Sequence, residues 1–550
     1  MSATAIDINE YDIDSIRNFS IIAHIDHGTI SKETKNLQVL DKLPVERQRG
    51  ITVKAQSATM FYTYKNKKYL INLIDTPGHV DFSYEVSRSL SACQGTILLV
   101  DSSQGIQAQT VANFYLAFSQ NLSIIPVLNK VDLPGADPEK VQKQLLNAFE
   151  FDSKDMLKIS AKSGLNIDKV LDLVIEKTPH PTGNRNNPLK ALLFDSWYNS
   201  YVGVICMMSI VDGTIKKGDK IISAHTGEKY EISQVGIMSP EMKSTTALHA
   251  GQVGYIVCNM KFISEAHVGD TFFLQKFPVE ALEGFQQPKP MVFSGLFPAD
   301  TNDLVKLQEA ISQLTLNDCS VSVYKETSFC LGQGWRLGFL GTLHMDVFKQ
   351  RLEDEYGIDV ILSHPTVPYK VKTTDGKEIL IKSPADFPDK VKLNNKIESI
   401  TEPFMSATII VPKDYLGATI KLCSAKIGYE DADLVKMEVL INSKPVDALA
   451  AVLHSSRVEI VGKDIAKRLK DLIKRQLFDI SVQTTSNGRV IARETIKAMR
   501  KNVIAKCYGG DITRKMKLLN RQKEGKKRLK SIGNVEVPHE AFISLMTKKS

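Results

Sequence analysis

Four short apolar runs set the character of the first third of this 550-residue chain, and each ends on polar residues. They are Asn18 to Ala23, Leu70 to Asp75, Thr96 to Asp101 and Ser123 to Asn129, separated by amphipathic stretches. Continuous apolar runs of this length, alternating with helical periodicity, are the pattern of strands buried on both faces of a parallel sheet. Such a sheet offers ligand groups at the carboxyl ends of its strands. Residues 16–182 are therefore predicted to form an α/β domain whose chemistry sits at those four ends.

The strand ends carry recognisable groups. Asp75-Thr76-Pro77-Gly78-His79 places a carboxylate where it reaches a phosphate-bound magnesium. Gly78 lets a backbone N–H approach the terminal phosphate with no side chain in the way, Pro77 stiffens the turn, and His79 stands where a side chain orients an attacking water. The alternative reading, a plain strand-to-helix turn, has to explain five matching residues. Asn129-Lys130-Val131-Asp132 ends another strand. The Asp132 carboxylate accepts two hydrogen bonds from a guanine edge, and adenine mismatches it at ~1–3 kcal/mol per unpaired group. Ser160-Ala161-Lys162 adds a backbone N–H for the guanine oxygen, and Arg49-Gly50-Ile51-Thr52 supplies a threonine that closes over magnesium. Together these point to GTP or GDP with Mg2+ and to GTP hydrolysis.

One part is cut short. A phosphate loop reads G-x-x-x-x-G-K-[ST] or a close variant. Here Ala23-His24-Ile25-Asp26-His27-Gly28 continues as Thr29-Ile30. It lacks the lysine that contacts the β- and γ-phosphates and the hydroxyl that binds magnesium. Only twenty-one residues separate Gly28 from Gly50, and Thr29 to Thr34 lacks the apolar period of a core helix. Two or three lost charge-assisted hydrogen bonds weaken nucleotide affinity by ~10²–10⁶. The shortened segment also removes cover from the sheet.

Beyond a linker at Pro179 to Asn187, turn residues such as Asp212-Gly213, Lys217-Gly218-Asp219 and Val268-Gly269-Asp270 punctuate short β-type segments, which predicts an all-β barrel over 188–281. Residues 291–370 read strand, helix (Thr301 to Leu314), strand (Ser320 to Lys325), helix (Thr342 to Tyr356), strand (Ile358 to Leu362), the order of a split β-α-β sandwich. A second such unit over 400–485 is too short for its elements. Only a helix, Tyr415 to Lys426, is evident before Leu434 to Leu440. The remainder, 486–550, reads as a basic C-terminal domain, its tail after Ile491 helical with turns near Gly509-Gly510 and Gly525.

The net charge of +8 lies in one place: Lys497 to Lys530 holds thirteen Lys or Arg against Asp511 and Glu524. Such a run is either a solvated helix face or a surface for a polyanion. The seven cysteines show no paired spacing, which suits a reducing compartment and no structural metal. No apolar run approaches the ~18 residues of a membrane span. The acidic stretch Asp7, Glu10, Asp12, Asp14 has no import or secretory pattern.

These motifs resemble those of the LepA-type translation elongation factors, ribosome-dependent GTPases of the back-translocase class, and most closely their mitochondrial members. The likeness runs through Arg17 to Gly28, Gln38 to Asp41, Gly50 to Gln56, Asp75 to Leu90, Gly338 to Gly341 and Arg500 to Ile512. Lys506-Cys507-Tyr508-Gly509-Gly510-Asp511-Ile512 and Ile532-Gly533-Asn534-Val535-Glu536 are the blocks particular to the LepA type. The resemblance implies a P-loop GTPase domain, a translation-factor β-barrel, two split sandwiches and a special C-terminal domain. It implies a monomer that binds the ribosome, touches rRNA and tRNA, and moves tRNAs backwards on stalled or mistranslocated ribosomes to keep protein synthesis accurate. It places such a protein in the mitochondrial matrix, peripheral to the inner membrane. By the same resemblance His79 activates water, Asp75 and Thr52 serve magnesium, and Asn129 and Asp132 read guanine. The chain departs from the family after Gly28 and after Lys426, at two clean joins. The alternative function is a ribosome or RNA binder that needs no nucleotide.

Overall fold

A computed structural model describes residues 8–24, 40–199, 201–260, 265–285, 288–318, 320–328, 331–363, 365–381, 387, 397–402, 430–431, 434–446, 449–486, 488–499 and 512–532. Gly28, the Gly28–Thr29 and Lys426–Ile427 joins, the expected helix at 415–426, Gly509-Gly510 and most of both LepA-type blocks lie outside them. The described residues divide into two compact units, one made of residues up to 289 with 311–320 and 346–354, the other of the rest.

The first unit begins with a six-stranded sheet. Its strands are β1 (Ile16–Ala23), β2 (Gln56–Tyr64), β3 (Lys67–Asp75), β4 (Gly95–Asp101), β5 (Ser123–Asn129) and β6 (Leu157–Lys158), in the order β2-β3-β1-β4-β5-β6. All neighbours are parallel except the β2–β3 hairpin. Strand β2 is not evident in the sequence because its apolar residues alternate instead of running together. Its turn, Lys65-Asn66, adopts positive φ at both residues, the geometry of a tight hairpin.

The helices are α1 (Pro44–Arg49), α2 (Ser83–Leu90), α3 (Ala108–Ser119), α4 (Pro138–Phe149) and α5 (Ile167–Lys177). Val86 and Leu90 of α2, Phe114 of α3 and Val141 of α4 bury one face with Ile22, Leu98 and Leu128. Val170 and Val174 of α5 bury the other with Phe19, Ile97 and Val127. Each such side chain contributes ~1.5–3 kcal/mol when fully buried. On the α5 face, Ile21, Ala23 and Leu73, near the phosphate-loop end, are only half-buried.

A closed β-barrel follows. Its strands run Lys220–Ser223, Thr271–Leu274, Lys190–Asn199, Gly203–Asp212, Val253–Cys258, Lys229–Ser239, and the first pairs with the last. Closure removes free sheet edges. A second core joins the barrel to the sheet: Ala55, Ile74 and Cys93 pack against Phe194, Ile205 and Tyr255.

In the second unit, strands Ser322–Ser328, Gly332–Phe339, Val292–Pro298 and Val360–Leu362 form an antiparallel sheet in that order. Helices Leu304–Asn317 and Thr342–Tyr356, parts of which (311–317 and 346–354) are counted with the first unit, complete a β-α-β-β-α-β chain order. Gly332–Phe339 is a strand the sequence reading lacks, because three glycines hide it. Gly332 takes positive φ, while Gly334 has a packing reason: a Cβ there would sit 2.4 Å from Phe297 and 2.5 Å from the Leu296 carbonyl.

A further sheet joins Leu434–Ile441, Lys444–Pro445, Ala451–His454, Ile480–Ser486 and Arg489–Ile496 under helix Ser455–Leu472. Its last hairpin spans the expected 485/486 division, and strand Arg489–Ile496 runs on past Ile491, where a helical tail is expected. The β-branched residues Val490, Ile491, Thr495 and Ile496 favour the extended form. The expected turn at Gly525 is also absent: Ile512–Ile532 is one helix. Its lysines and arginines carry the helix through Gly525 despite a penalty of ~1 kcal/mol.

Replacing Gly334 with alanine forces Phe297 or the neighbouring strand to shift. The variant is expected to lose about 1–3 kcal/mol, read as a lower thermal midpoint in a melt of the full chain.

Candidate nucleotide site

Parallel register decides which residues share the sheet edge. Asp75 stands opposite Ile21, Ala23 opposite Leu99, and Asp101 opposite Asn129. The carboxyl ends of β3, β1, β4 and β5 therefore form one rim, which brings the Asp75 and Asn129 motifs together.

At one end of the rim Asp75 is 7% exposed, and its Oδ2 has no hydrogen-bond partner among the described residues. Burial, then the charges of Asp41 and Glu46, push its carboxyl up to about 7, against a restraining hydrogen bond from the Thr76 amide. Thr76 is fixed by its hydroxyl, which donates to the Ile21 carbonyl at 2.8 Å. Asn113 of α3 donates to the Gly78 carbonyl at 3.4 Å. His79 is half-buried, and its Nδ1 accepts from the Asp81 amide at 3.0 Å. That bond makes Nδ1 the acceptor, so the ring proton sits on Nε2 in the neutral form. Pro77 is buried within the turn.

Thr52 sits beside this turn. Its hydroxyl donates to Asp41 Oδ1 at 3.0 Å. The loop that carries it is tied by Glu46, which is fully buried in α1. Glu46 accepts from the amides of Leu43 (2.9 Å), Val53 (3.0 Å) and Lys54 (3.1 Å). Gly50 ends α1 at φ 66°, and a side chain there would be strained. Asp41 and Glu46 both have carboxyls raised, chiefly by burial. Both Glu46 oxygens are taken by amides and Asp41 accepts from Thr52, so Asp75 Oδ2 is the orphaned carboxylate oxygen here, and no group of three acidic, histidine or cysteine side chains among the described residues is arranged to hold a metal ion.

At the other end Asn129 is buried, and its Oδ1 accepts from the Ala161 amide at 3.0 Å. Lys130 takes positive φ, and its ammonium lies 2.8 Å from buried Asp101. The Val131 amide donates to the Ile159 carbonyl at 3.3 Å. Asp132 is exposed, and the Ser160 hydroxyl, its own amide and the charges of Lys162 and Lys130 hold its carboxyl below the usual range. Ser160 is buried and caps its own turn by accepting from the Ser163 amide at 3.1 Å. Lys162 is exposed above it.

Family models match four stretches: Elongation factor Tu GTP binding domain (residues 14–180), Elongation factor Tu domain 2 (203–273), Elongation Factor G, domain III (287–364) and GTP-binding protein LepA C-terminus (441–547). The human protein "Translation factor GUF1, mitochondrial" is 50% identical, covering 99% of this chain and 91% of its own length. The Arabidopsis thaliana homologue of that name is 51% identical, covering 98% and 91%. The chain belongs to the LepA (GUF1) family of translation factors. Its fold is the multidomain one expected, and its first domain is the translational GTPase domain of that family. A crystal structure of a protein from Thermus thermophilus shares the fold at TM-score 0.55 and 18% identity, covering 67% of this chain and 72% of that one.

The alignment with the human LepA relative runs over 614 positions against 550 residues here, so at least 64 of its positions have no counterpart in this chain. The two sequence joins are where such a shortfall is expected. Glu46, Asp101 and Asn113 of this LepA-family site escaped the sequence reading, as did the pairing of the motif residue Lys130 with Asp101. Their only signal is tertiary, since none belongs to a phosphate or guanine motif in a role the sequence reveals.

In the nucleotide-free, EDTA-treated chain the raised Asp75 pKa fixes a sign. The folded state favours the protonated carboxyl, so this contribution is full below the ordinary value of 3.8 and is lost as pH rises through about 7. Asp75→Asn is therefore expected to raise the thermal midpoint of the GTPase domain at pH 8, by about 2–4 kcal/mol in stability. The gain should shrink toward zero near pH 4, and a pH-independent gain would contradict the assignment.

Proposed function

We propose that the protein is a ribosome-dependent GTPase of mitochondrial translation that keeps synthesis accurate by returning tRNAs on stalled or mistranslocated ribosomes. The observation that carries the reading is the single rim on which Asp75, Asn129 and the Ser160 turn meet. The names of the relatives support the mitochondrial setting. The matrix location, peripheral association with the inner membrane and monomeric state rest on the resemblance. No helix among the described residues is long and apolar enough to cross a membrane. The division into 16–182, 188–281, 291–370, 400–485 and 486–550 is part of the same proposal, with the sheet running on to Ile496.

In this reading Asp132 accepts from the guanine edge, Asn129 holds the Ala161 amide in place for the guanine oxygen, and Lys130 braces the loop through Asp101. Gly78 offers its amide to the γ-phosphate, and His79 orients the water through Nε2. Asp75 and Thr52 would hold Mg2+, which offsets phosphate charge when bound. A fluorescent GDP analogue is expected to saturate the purified chain, and Asp132→Asn to weaken it by roughly 10–100-fold. No saturation at high micromolar nucleotide would sink the GTPase reading for this polypeptide.

The missing lysine after Gly28 favours a second reading, a ribosome or RNA binder that needs no nucleotide. Helix Ile512–Ile532 presents Arg514 and Lys517 to solvent, with Lys515 half-buried. Ribosome pelleting separates the readings. Binding that ignores GTP analogues but falls when Arg514, Lys515 and Lys517 are neutralised supports the second. Indifference to those changes and to salt excludes it, because phosphate contacts are steeply salt-dependent.

A further inference from the structure

The largest fully buried side chain among the described residues is cationic. Arg88, on α2 just after the His79 turn, is 2% exposed. It pairs with Glu85 on its own helix and, at 3.0 Å, with Asp195 Oδ1 from the barrel. The other oxygen of Asp195 lies 3.7 Å from the ammonium of Lys54. Lys54 is the residue whose amide is held by Glu46, two places after Thr52. Its ammonium also stands 5.2 Å over the Trp197 ring of the same barrel strand. One barrel carboxylate thus meets the loop of Thr52 and the helix of His79 together.

The strand is built for this. Its register shifts between Leu193 and Asp195. Leu193 points into the barrel core, while Phe194 joins the core shared with the sheet. The bulge breaks strict alternation, so Asp195 follows Phe194 toward the GTPase domain. The Ser196 amide then donates to Asp195 Oδ1 at 2.8 Å and holds the carboxylate there. A second link between the same loop and the barrel, Lys42 to Glu241 at 3.3 Å, is exposed and therefore weak.

We infer that Asp195 is a positioning residue for the GTPase: it fastens both nucleotide-sensing segments to the barrel at one carboxylate. The inference rests on the reading of these segments given above, but its test needs no nucleotide. Because Lys54 and Arg88 use different oxygens, the two attachments separate by mutation. Either segment can move only by giving up its share of a buried charge, which couples loop movement to the barrel surface.

Hydrogen exchange of the full chain reads this directly. Val53 and Lys54 amides report the loop, and the amides of Ser83–Leu90 report the helix. Asp195→Asn is expected to speed exchange at least tenfold in both, while the barrel strands Gly203–Asp212 and Val253–Cys258 keep wild-type rates. Lys54→Met should speed the loop only, Lys54→Arg should restore it, and Glu241→Gln should leave both unchanged. Uniform loosening of the barrel with Asp195→Asn would reduce Asp195 to a structural role and overturn the inference. Wild-type exchange at Val53 in Lys54→Met would overturn it as well.

Discussion

The meeting of the Asp75 and Asn129 motifs in the candidate site depends on the parallel register of β3, β1, β4 and β5. Parallel neighbours must end on one side of a sheet, so motifs far apart in sequence arrive at a common rim without loops long enough to fold back. Asp75 and Asn129 are 54 positions apart, yet each is the last residue of its strand. The helices then act mainly as clamps. Asn113 of α3 steadies the Gly78 carbonyl, and Glu46 of α1 gathers three amides of its neighbouring loop.

What the sequence made legible follows from this. Continuous apolar runs betrayed β1, β3, β4 and β5, and their last residues betrayed the chemistry. Strand β2 escaped because a half-exposed hairpin strand alternates and carries no motif. Gly332–Phe339 escaped because glycines, normally strand breakers, are needed there where Phe297 packs against the backbone. The tail misled for the opposite reason: basic composition suggested helix from just after Ile491, while the strand continues through Thr495 and Ile496, which pair with Ser481 and Ile480. Glu46 was invisible because nothing in a local window distinguishes a buried glutamate that binds amides from a solvated one.

The electrostatics of the rim are lopsided. Its guanine end pairs each acid with a base or hydroxyl: Asp101 with Lys130, and Asp132 with Ser160 and Lys162. Its phosphate end gathers Asp41, Glu46 and Asp75, three buried carboxyls that raise one another or are raised by burial. Glu46 is satisfied by backbone amides, and Asp41 by Thr52. Asp75 keeps an oxygen without a partner among the described residues.

A triphosphate brings further negative charge to that acidic end. In a phosphate loop the lysine after the last glycine absorbs part of it; here Thr29 follows Gly28. In the proposed function that charge falls to a cation at Asp75 and Thr52 and to backbone amides. Base recognition and phosphate recognition are thus unequal in this chain. On the proposed reading the guanine end is internally braced by the Asn129–Ala161, Lys130–Asp101 and Ser160–Ser163 contacts, while the described part of the phosphate end is the turn after Asp75 and the loop of Thr52. Both of those remnants are fastened to the barrel through Asp195. In this polypeptide, therefore, the integrity of the phosphate end is as much a property of the barrel junction as of the nucleotide domain itself.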